Sequence, residues 1–433
     1  MHNAFWDQEI ETMARPALER LQLERLQNTV RRVAATVPFY QQRFAELGVK
    51  PDDIQSLADA RRLPFTTSAD LRTTYPDGLL ATDRREAVRL HTSSGTTGKP
   101  KALFFSRKDV DVAAEQIARS LVMTGITAQD VFQNMMSYGL FTGGLVMHYG
   151  AEKVGCLVIP SGPGTSERQL MLMQDFRTTA VHILPSYALY FARFLEHKGI
   201  QPQKDLSLRK AFVGAEPHTE ETRRRIEQAL GCDVYNSYGL TEMNGPGVAF
   251  ECHHKAGLHL WEDNYLLEIV SPETGEPVPD GKLGELVLSS LQREAMPLLR
   301  YRTRDITSVI TEPCACGRTH RRLNRITGRS DDMLIVRGVN IFPQQIERVL
   351  MSTPQVGSNY VIVLEGLDDM TVKVELSAAG FDGKVEHLTA LQEQLAERLR
   401  AELWVRPKVE LMPAGALPVA EGKAKRVIDK RSL

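Results

Sequence analysis

The sequence is poor in the features that mark secreted, membrane-bound and nucleic-acid-binding proteins. Five cysteines among 433 residues are an odd number and do not suggest a disulfide scaffold. No uninterrupted apolar run approaches the ~20 residues of a membrane span, and the amino terminus lacks the basic and apolar regions of a secretory signal. A net charge of −1 gives no electrostatic reason to expect nucleic acid or an anionic membrane as a partner. We therefore expect a protein of the reducing cytoplasm that binds neither.

What is present is the composition of an ordinary globular protein, long enough for two or more domains. Apolar residues at helical spacing predict an amphipathic helix over residues 16–47. Short apolar strands alternate with helices up to residue 235, which indicates βαβ units and a largely parallel sheet. Closely spaced strands beyond residue 255 indicate an antiparallel subdomain. The sequence thus predicts an α/β protein with a large N-terminal domain, 1–327, and a small α/β C-terminal domain, 328–433.

Residues 91–101, HTSSGTTGKPK, form the most informative segment. Glycines and small hydroxyl residues let backbone N–H groups turn toward an anion, and the hydroxyls and lysines add donors and positive charge. An ordinary surface loop would explain the glycines but not this density in front of two lysines. Pro100 stands where a Walker loop has serine or threonine, so the segment predicts a phosphate cradle of another kind. Its candidate ligands are Ser93, Ser94, Gly95, Thr96, Thr97, Gly98 and Lys99.

Three further motifs carry residues suited to a nucleotide. In Tyr238-Gly239-Leu240-Thr241-Glu242 an aromatic ring can stack on adenine, a hydroxyl can reach phosphate, and a carboxylate can bind Mg²⁺, which prefers oxygen. Gly214-Ala215-Glu216-Pro217 follows an expected strand and offers small residues to a flat base. In Tyr301-Arg302-Thr303-Arg304-Asp305 the carboxylate of Asp305 can accept hydrogen bonds from both ribose hydroxyls. A strand-end turn and an exposed Arg–Asp pair are the alternatives for the first and third motifs.

Taken in order with Tyr138-Gly139-Leu140-Phe141-Thr142-Gly143-Gly144, Gly328-Arg329-Ser330-Asp331-Asp332 and Gly422-Lys423, these motifs resemble the adenylate-forming acyl-CoA synthetase superfamily. More closely, the chain resembles the phenylacetate–CoA ligase family, from about residue 30 to the C-terminus. The resemblance implies that a carboxylate attacks ATP to give an acyl-adenylate and pyrophosphate, with Mg²⁺ as cofactor. The CoA thiol then attacks the adenylate after the small C-terminal domain has swung.

The resemblance also assigns roles to single residues. It makes Lys423, Glu242 and Thr241 catalytic, with Lys423 reaching the acyl carboxylate and the α-phosphate. The local alternative for Lys423 is a solvated charge in a basic tail. Asp331 corresponds to the hinge of the mobile domain. Besides the phosphate loop, the implied nucleotide-binding residues are Gly214, Ala215, Glu216, Pro217, Asn236, Tyr238, Gly239, Asp305 and the arginine at the Arg325-Ile326 step.

The acyl pocket is expected to be a flat slot with aromatic walls, because glycines let a planar ring approach the backbone and aromatic side chains favour stacking. Its expected residues are Tyr138, Phe141, Gly144, Met136 and Ala215. This composition favours an aryl or arylacetic acid over a long fatty acid. Met135-Met136-Ser137 stands where the family usually has Ser-Tyr-Gly, and a flexible methionine changes the shape of the pocket. Phenylacetate and benzoate-like acids both stay open as substrates.

A cysteine-rich pattern indicates a structural zinc site, at about even odds with free cysteines in turns. Cys314 and Cys316 lie on one turn, and Cys252 lies on another beside His253 and His254. These three cysteines are the first expected ligands. The fourth is His259 or His254, and His259 is preferred because a strand can point it back toward the turn. Cys156 and Cys232 are expected in the core.

Three functions compete at this point. An ATP-dependent aryl–CoA ligase is favoured, because the Lys423, Glu242 and Asp305 equivalents are all present. The second is an aryl-acid adenylating enzyme that loads a carrier-protein thiol. The absence of a fused carrier domain after residue 433 favours free CoA, although the sequence does not decide the acceptor. The third is a nucleotide-binding regulator without chemistry. The oligomeric state, including a homodimer, is left open.

Overall fold

The computed structural model describes residues 5–93, 100–366, 369–377, 380, 384–418 and 424–431. In this part of the chain the α-helices are α1 (Gln8–Glu11), α2 (Arg15–Thr36), α3 (Pro38–Leu47), α4 (Ser68–Thr73), α5 (Arg107–Val122), α6 (Thr142–Val154), α7 (Ser166–Asp175), α8 (Pro185–His197), α9 (Pro202–Asp205), α10 (Glu220–Leu230), α11 (Pro343–Met351) and α12 (Val385–Leu403). The strands are β1 (Ala87–Thr92), β2 (Ala102–Ser106), β3 (Val131–Asn134), β4 (Leu157–Ile159), β5 (Ala180–Ile183), β6 (Lys210–Gly214), β7 (Asp233–Leu240), β8 (Gly245–Glu251), β9 (Leu258–Leu260), β10 (Tyr265–Val270), β11 (Gly284–Ser290), β12 (Tyr301–Thr307), β13 (Val309–Ile310), β14 (Arg322–Leu323), β15 (Gly328–Arg329), β16 (Leu334–Val336), β17 (Val339–Ile341), β18 (Val356–Gly366), β19 (Asp369–Leu376), β20 (Lys408–Met412) and β21 (Val427–Asp429).

The largest sheet has nine strands in the order β13-β14-β9-β8-β7-β6-β5-β3-β4. β3 pairs in parallel with β4 and with β5, as the strand–helix alternation predicts. β7, β8 and β9 pair antiparallel. A second sheet, β10-β11-β12-β15, contains the antiparallel ladders expected beyond residue 255. The predicted α/β class is therefore confirmed.

Proline and capping residues set the boundaries of the helices. The single helix expected over 16–47 is two helices, α2 and α3, because Pro38 has no N–H to continue the first and is suited to begin the second. α5 begins after Ser106, whose hydroxyl accepts from the Asp109 N–H while the Asp109 carboxylate accepts from the Ser106 N–H. A cap of this kind contributes ~1 kcal/mol. It fixes the point at which β2 gives way to a helix that packs on α6 and β8.

The structure groups into two compact units. The first comprises residues 1–182, 210–215 and 235–326, and the second comprises residues 183–209, 216–234 and 327–433. In the second unit the sheet β20-β19-β18-β21 shares an apolar core with α11 and α12. Among the described residues, no helix is both long enough and apolar enough to cross a bilayer.

Polar side chains of the second unit join α10 to the segment that follows residue 327. Glu347 is buried and accepts hydrogen bonds from the Thr219 N–H at 3.1 Å and from the Tyr360 hydroxyl at 3.0 Å. The Arg225 guanidinium donates to carbonyl oxygens at the end of α11 and in the segment that leads from it into β18. These carbonyls, with their distances, belong to Leu350 (3.2 Å), Met351 (2.5 Å), Thr353 (2.7 Å) and Val356 (3.1 Å).

Candidate active site

β1 and β2 form an antiparallel hairpin that carries the expected phosphate loop. At its base the Ser93 N–H donates to the carbonyl oxygen of Lys101 at 3.3 Å. The neighbouring Thr92 N–H donates to the Leu140 carbonyl at 2.9 Å, which ties this strand to the segment expected to line the acyl pocket. The remaining predicted phosphate ligands lie outside the described residues, and their role stays a prediction. They are Ser94, Gly95, Thr96, Thr97, Gly98 and Lys99.

Glu242 is held at the centre of a buried polar cluster. It lies in the short 3-10 helix Thr241–Met243, directly after β7. Its Oε1 forms an ion pair with the Lys101 ammonium and accepts from the Tyr301 hydroxyl at 2.9 Å. Burial by itself raises the pKa of the carboxyl, but the Lys101 charge and the hydrogen bonds from Lys101, Tyr301 and the backbone together bring the pKa below its ordinary value. The side chain is therefore an ionised carboxylate, which is the kind of group that Mg²⁺ prefers.

A buried arginine supports the backbone of this 3-10 helix. Arg293 is 3% exposed, and its guanidinium donates to the carbonyl oxygens of Glu242 and of Phe104, the latter at 3.2 Å. It also lies over the Phe105 ring at 4.4 Å, a cation–π distance. Burial lowers the pKa of Arg293. The Arg293 side chain thus joins the Glu242 turn to β2, the strand that follows the phosphate loop in the sequence.

The expected adenine and ribose residues are brought together in pairs. The Tyr238 hydroxyl donates to Oδ2 of Asp305 at 2.5 Å, so the two motifs that carry these residues meet. The Asn236 N–H donates to the Glu251 carboxylate at 2.7 Å. The other oxygen of Glu251 lies 3.4 Å from the Arg325 guanidinium, the arginine assigned by resemblance. A carboxylate and an aromatic ring therefore lie at the end of β7, where the nucleotide was expected.

Two backbone features at these strand ends depend on residue type. A β-carbon on Gly239 would lie 1.9 Å from the carbonyl oxygen of Gly245, so the close approach of β7 and β8 excludes any side chain there. Ala215 adopts φ +65°, a left-handed conformation that is uncommon for a residue with a β-carbon. Strain of this kind concentrates at functional sites. Both features lie in motifs that the sequence assigns to the nucleotide.

The expected acyl slot begins with a chain of polar contacts. The Tyr138 hydroxyl lies 3.1 Å from Nδ1 of His148, whose Nε2 lies 3.0 Å from the Glu152 carboxylate. A carboxylate only accepts, so Nε2 carries a proton. Burial raises the pKa of Tyr138 to about 12, and the phenol is un-ionised at neutral pH. Phe141 precedes α6 and is 46% exposed.

The glycines of the slot differ in what they permit. A β-carbon on Gly144 would lie 2.3 Å from the carbonyl oxygen of Ser137, so the first turn of α6 packs directly on the backbone after β3. A β-carbon on Gly143 would meet no heavy atom within 4 Å. The close backbone approach expected from this motif therefore depends on Gly144 and not on Gly143.

Three other predicted residues that the structure describes, Glu216, Pro217 and Asp331, lie in the second unit. The Glu216 carboxylate accepts from the Ser186 N–H at 3.1 Å, at the beginning of α8, and from the Ala424 N–H at 2.6 Å. Pro217 is exposed beside it. The Asp331 carboxylate accepts hydrogen bonds from Nε and Nη2 of Arg329, at 2.9 Å each. Lys423, the predicted catalytic lysine, lies outside the described residues.

Four side chains of the first unit form a cluster of metal-ligating type. They are Cys252, His259, Cys314 and Cys316, and their ligand atoms all lie within 4.8 Å of one another. The sulfurs of Cys252 and Cys314 are 3.7 Å apart, and Nε2 of His259 is 3.3 Å from the Cys316 sulfur. Tetrahedral zinc, bonded to sulfur at ~2.3 Å, sets two sulfur ligands about 3.8 Å apart. The geometry fits such an ion, and it selects His259 over His254 as the fourth member.

The ionisation of this cluster also suits a cation. The hydrogen bond from the Cys252 thiol lowers the pKa of Cys316 to about 2, which leaves a thiolate, the form that binds metals. The same hydrogen bond raises the pKa of Cys252. Nδ1 of His259 is buried and has no hydrogen-bond partner among the described residues. The chemistry is that of a closed structural site, because three thiol groups and an imidazole supply all four positions.

Sequence reasoning missed several residues that build the site. Lys101 stands in the phosphate motif, but nothing local shows that it pairs with Glu242, which lies 141 residues further on. Arg293 belongs to no motif. Tyr301 is the first residue of the motif that was chosen for Asp305, and its place directly before Arg302 is the one signal that the sequence offers. Such long-range pairs become visible only when β2, β7 and β12 are folded.

Comparison with known proteins agrees with this architecture. The AMP-binding enzyme family matches residues 11–293, and the AMP-binding enzyme C-terminal domain matches residues 338–431. A phenylacetate-coenzyme A ligase of Thermus thermophilus is 46% identical over 98% of this chain and 99% of its own length. One from Pseudomonas putida is 45% identical over 98% of this chain and 96% of its own length. The crystal structure of 2-hydroxyisobutyryl-CoA ligase in the postadenylation state superposes with a TM-score of 0.93, at 28% identity, over 99% of this chain and 93% of that one.

The fold and the match of the AMP-binding enzyme family to residues 11–293 define an enzyme of the adenylate-forming class. The identity over nearly the whole chain narrows this further. The chain belongs to the phenylacetate–CoA ligase family of AMP-binding enzymes.

Proposed function

We propose that this protein is an ATP-dependent ligase that joins an aryl or arylacetic acid to CoA. The acid attacks ATP to give an acyl-adenylate and pyrophosphate, and the CoA thiol then displaces AMP. The observation that carries the proposal is the pairing of Tyr238 with Asp305 beside the Lys101–Glu242 ion pair, in a chain of this family. These groups supply an aromatic surface for a base, a carboxylate for ribose and a second carboxylate for a metal.

The residues fit Mg²⁺ as the partner of the triphosphate. Glu242 would hold the ion, because it is an ionised carboxylate in the 3-10 helix directly after β7. Thr241, in the same 3-10 helix, would place its hydroxyl toward phosphate. The ion would neutralise charge on the triphosphate. Lys101 keeps Glu242 ionised, so it preserves the ligand in the form the ion needs.

Lys423 is proposed to stabilise the charge that develops as the carboxylate attacks the α-phosphate. Support comes from its chain neighbour Ala424, whose N–H bonds to Glu216 in the motif assigned to adenine. Asp331 is proposed as the hinge between the two half-reactions, because it lies between β15 and β16 where the C-terminal segment begins. The segment 328–433 is the proposed mobile domain.

The acid is proposed to carry a single aromatic ring. Tyr138 and Phe141 supply ring walls, and the close backbone packing at Gly144 keeps the slot narrow. Met136, in place of the family's tyrosine, widens the choice among ring acids beyond phenylacetate. Ala215 closes the slot on the nucleotide side.

A structural zinc ion is proposed for Cys252, His259, Cys314 and Cys316. The four groups belong to a loop after β8, to β9 and to the turn before β14, so an ion there would join three segments of the first unit. Its contribution would be to folding stability and not to chemistry. None of the five cysteines, all of which the structure describes, forms a disulfide, which fits the reducing cytoplasm as the proposed compartment.

ATP–pyrophosphate exchange across a panel of acids tests this function. The panel contains phenylacetate, benzoate, ring-substituted relatives and a C12 fatty acid, and each active acid is then assayed for a CoA thioester. We expect pyrophosphate exchange with ring acids, and thioester formation only with CoA as acceptor. Asp305→Asn should lose most of the pyrophosphate exchange. Asp280→Asn, at an exposed turn, is the matched control and should not. Exchange with the fatty acid alone would overturn the aryl assignment, and transfer only to a carrier-protein thiol would favour the second function.

A further inference from the structure

Asn134, the last residue of β3, is a fully buried polar residue with an unusual number of partners. Its relative exposure is 0%. Its side-chain amide donates to the Gly144 carbonyl at 2.7 Å, and its Oδ1 accepts from the Met136 N–H at 3.3 Å. Oδ1 also lies 3.1 Å from Nδ1 of His182. Its backbone carbonyl accepts from the Gly162 N–H at 2.9 Å and from the Ser161 hydroxyl at 3.1 Å.

These contacts allow only one orientation of the amide. The Gly144 carbonyl accepts only, so Nδ2 must face it, and the Met136 N–H donates only, so Oδ1 must face that side. Burial lowers the pKa of His182 to about 3, and its ring is neutral. Because Oδ1 is an acceptor, Nδ1 of His182 carries the single ring proton. His182, on the neighbouring strand β5, therefore donates to Oδ1 and holds the amide in this orientation.

The groups held by Asn134 are those expected to line the acyl slot. Met136 is the position that departs from the family pattern, and Gly144 is in the first turn of α6, next to Phe141. The backbone at Ser137 already touches Gly144 so closely that not even a β-carbon fits. The segment after β3 and the first turn of α6 are thus in direct contact, and the Asn134 side chain joins them into one packed wall.

We propose that Asn134 is the positioning residue that fixes the wall of the acyl slot formed by Met136 and the first turn of α6, with His182 as its support. The proposal rests on the proposed function only in taking this slot as the acyl site. Without the amide, Met136 and the first turn of α6 lose their common partner, and this wall no longer holds one position. The consequence is poorer binding of the acid and weaker discrimination between acids that differ in reach from ring to carboxylate. The nucleotide residues, on β7 and β12, keep their contacts.

The test compares Asn134→Ala with Gln133→Ala, a matched control on the same strand. Gln133 is equally buried and bonds to Gln169 and Thr178, away from the slot. For Asn134→Ala we expect the KM for the acid to rise at least ~10-fold and the phenylacetate-to-benzoate ratio of kcat/KM to shift ~10-fold or more, the scale of one group in an apolar pocket. The KM for ATP should stay within about twofold. Gln133→Ala should lower Tm without moving that ratio.

A second pair of variants keeps the test decisive if Asn134→Ala does not fold. His182→Phe removes the donor to Oδ1, whereas His182→Asn offers an N–H near the same place, so the first should shift the ratio and the second should restore it. An unchanged acid ratio in Asn134→Ala, or equal changes in the KM for acid and ATP, overturns the proposal. If the wild type prefers acids outside the aryl class, the proposed function fails by itself. The ratio of kcat/KM is then measured between the two best acids of the wild type, and its change in Asn134→Ala tests the role of Asn134 independently.

Discussion

Replacing Lys101 with methionine isolates the electrostatic role of the Lys101–Glu242 pair. Glu242 is 4% exposed, and the Lys101 side chain is 15% exposed. Methionine keeps an unbranched apolar stem and removes the charge, so the carboxylate is left with the Tyr301 hydroxyl at 2.9 Å as its side-chain donor. Breaking a buried ion pair by removing one partner costs ~3–5 kcal/mol, because an uncompensated charge stays behind. We expect a loss of folding free energy of about this size at pH 7.

The pH dependence separates this loss from lost packing. In the wild type the pKa of Glu242 is lowered: burial raises it, but the Lys101 charge and the hydrogen bonds to the carboxylate together outweigh burial. The stabilisation is therefore present above the unfolded pKa and is lost as the pH falls through the folded pKa. In Lys101→Met, burial acts without the opposing cation, and the folded pKa rises above the ordinary value of 4.5. The penalty is then full above that raised pKa and shrinks as the pH falls toward 4.5, and the remainder is lost only as the pH falls through the lowered pKa of the wild type.

The assay is thermal unfolding of both proteins across pH 5 to 8, with two further variants. Lys101→Arg keeps the cation and should stay near the wild type. Lys101→Met with Glu242→Gln removes both charges and should regain much of the lost Tm. A penalty that is the same at every pH, or a double variant no more stable than Lys101→Met, would refute the reasoning.

Four further predictions concern chemistry and metal. Lys423→Ala should cut pyrophosphate exchange at least ~100-fold, because a positioned cation stabilises the developing charge, and should spare thioester formation from supplied acyl-adenylate. Asp331→Pro should leave adenylation intact and slow CoA transfer, because proline fixes φ at the proposed hinge. Metal analysis should find about one zinc per chain, and Cys314→Ser with Cys316→Ser should lose it and lower Tm. Met136→Tyr should move kcat/KM toward phenylacetate by ~1–3 kcal/mol relative to other ring acids.

Each of these has a result that would contradict it. Near-wild-type exchange in Lys423→Ala would remove that lysine from the chemistry, and equal slowing of both steps in Asp331→Pro would move the hinge elsewhere. Freshly purified protein without zinc would leave the Cys314 cluster as plain thiols. An unchanged acid preference in Met136→Tyr would show that this side chain does not line the pocket.

Local patterns were enough to predict the class of the fold. The strand–helix alternation reports parallel pairing because each helix must return the chain to the same edge of a sheet, and β3, β4 and β5 pair in this way. The break at Pro38 was equally local but was outweighed by continuous helical periodicity on both sides of it. The order of the nine strands, and the grouping of α8 and α10 with the C-terminal segment, depend on contacts between distant residues, which periodicity does not record.

In the candidate site, too, the residues with local sequence signals could be predicted and those that depend on long-range contacts could not. The residue types at Tyr238, Glu242 and Asp305 indicated a nucleotide site. The cysteine pattern indicated a metal-binding cluster, and His259 is its fourth member in the structure. Asn134 could not be found in this way. An asparagine after an apolar strand usually means a turn, and its function here comes from partners on β5 and α6 that only the fold brings to it.

The second unit also has a consequence for the timing of synthesis. Arg225 leaves the ribosome some 126 residues before Met351, whose carbonyl it will bind. At about 5–20 residues per second, the guanidinium waits roughly 6–25 seconds for its acceptors. During that interval α8 and α10 are exposed without the segment that completes their unit, while most of the first unit is already available to fold. The last part of the chain to be translated thus decides when two of the middle helices become native, and a ribosome that pauses late leaves those helices open to chaperones and proteases.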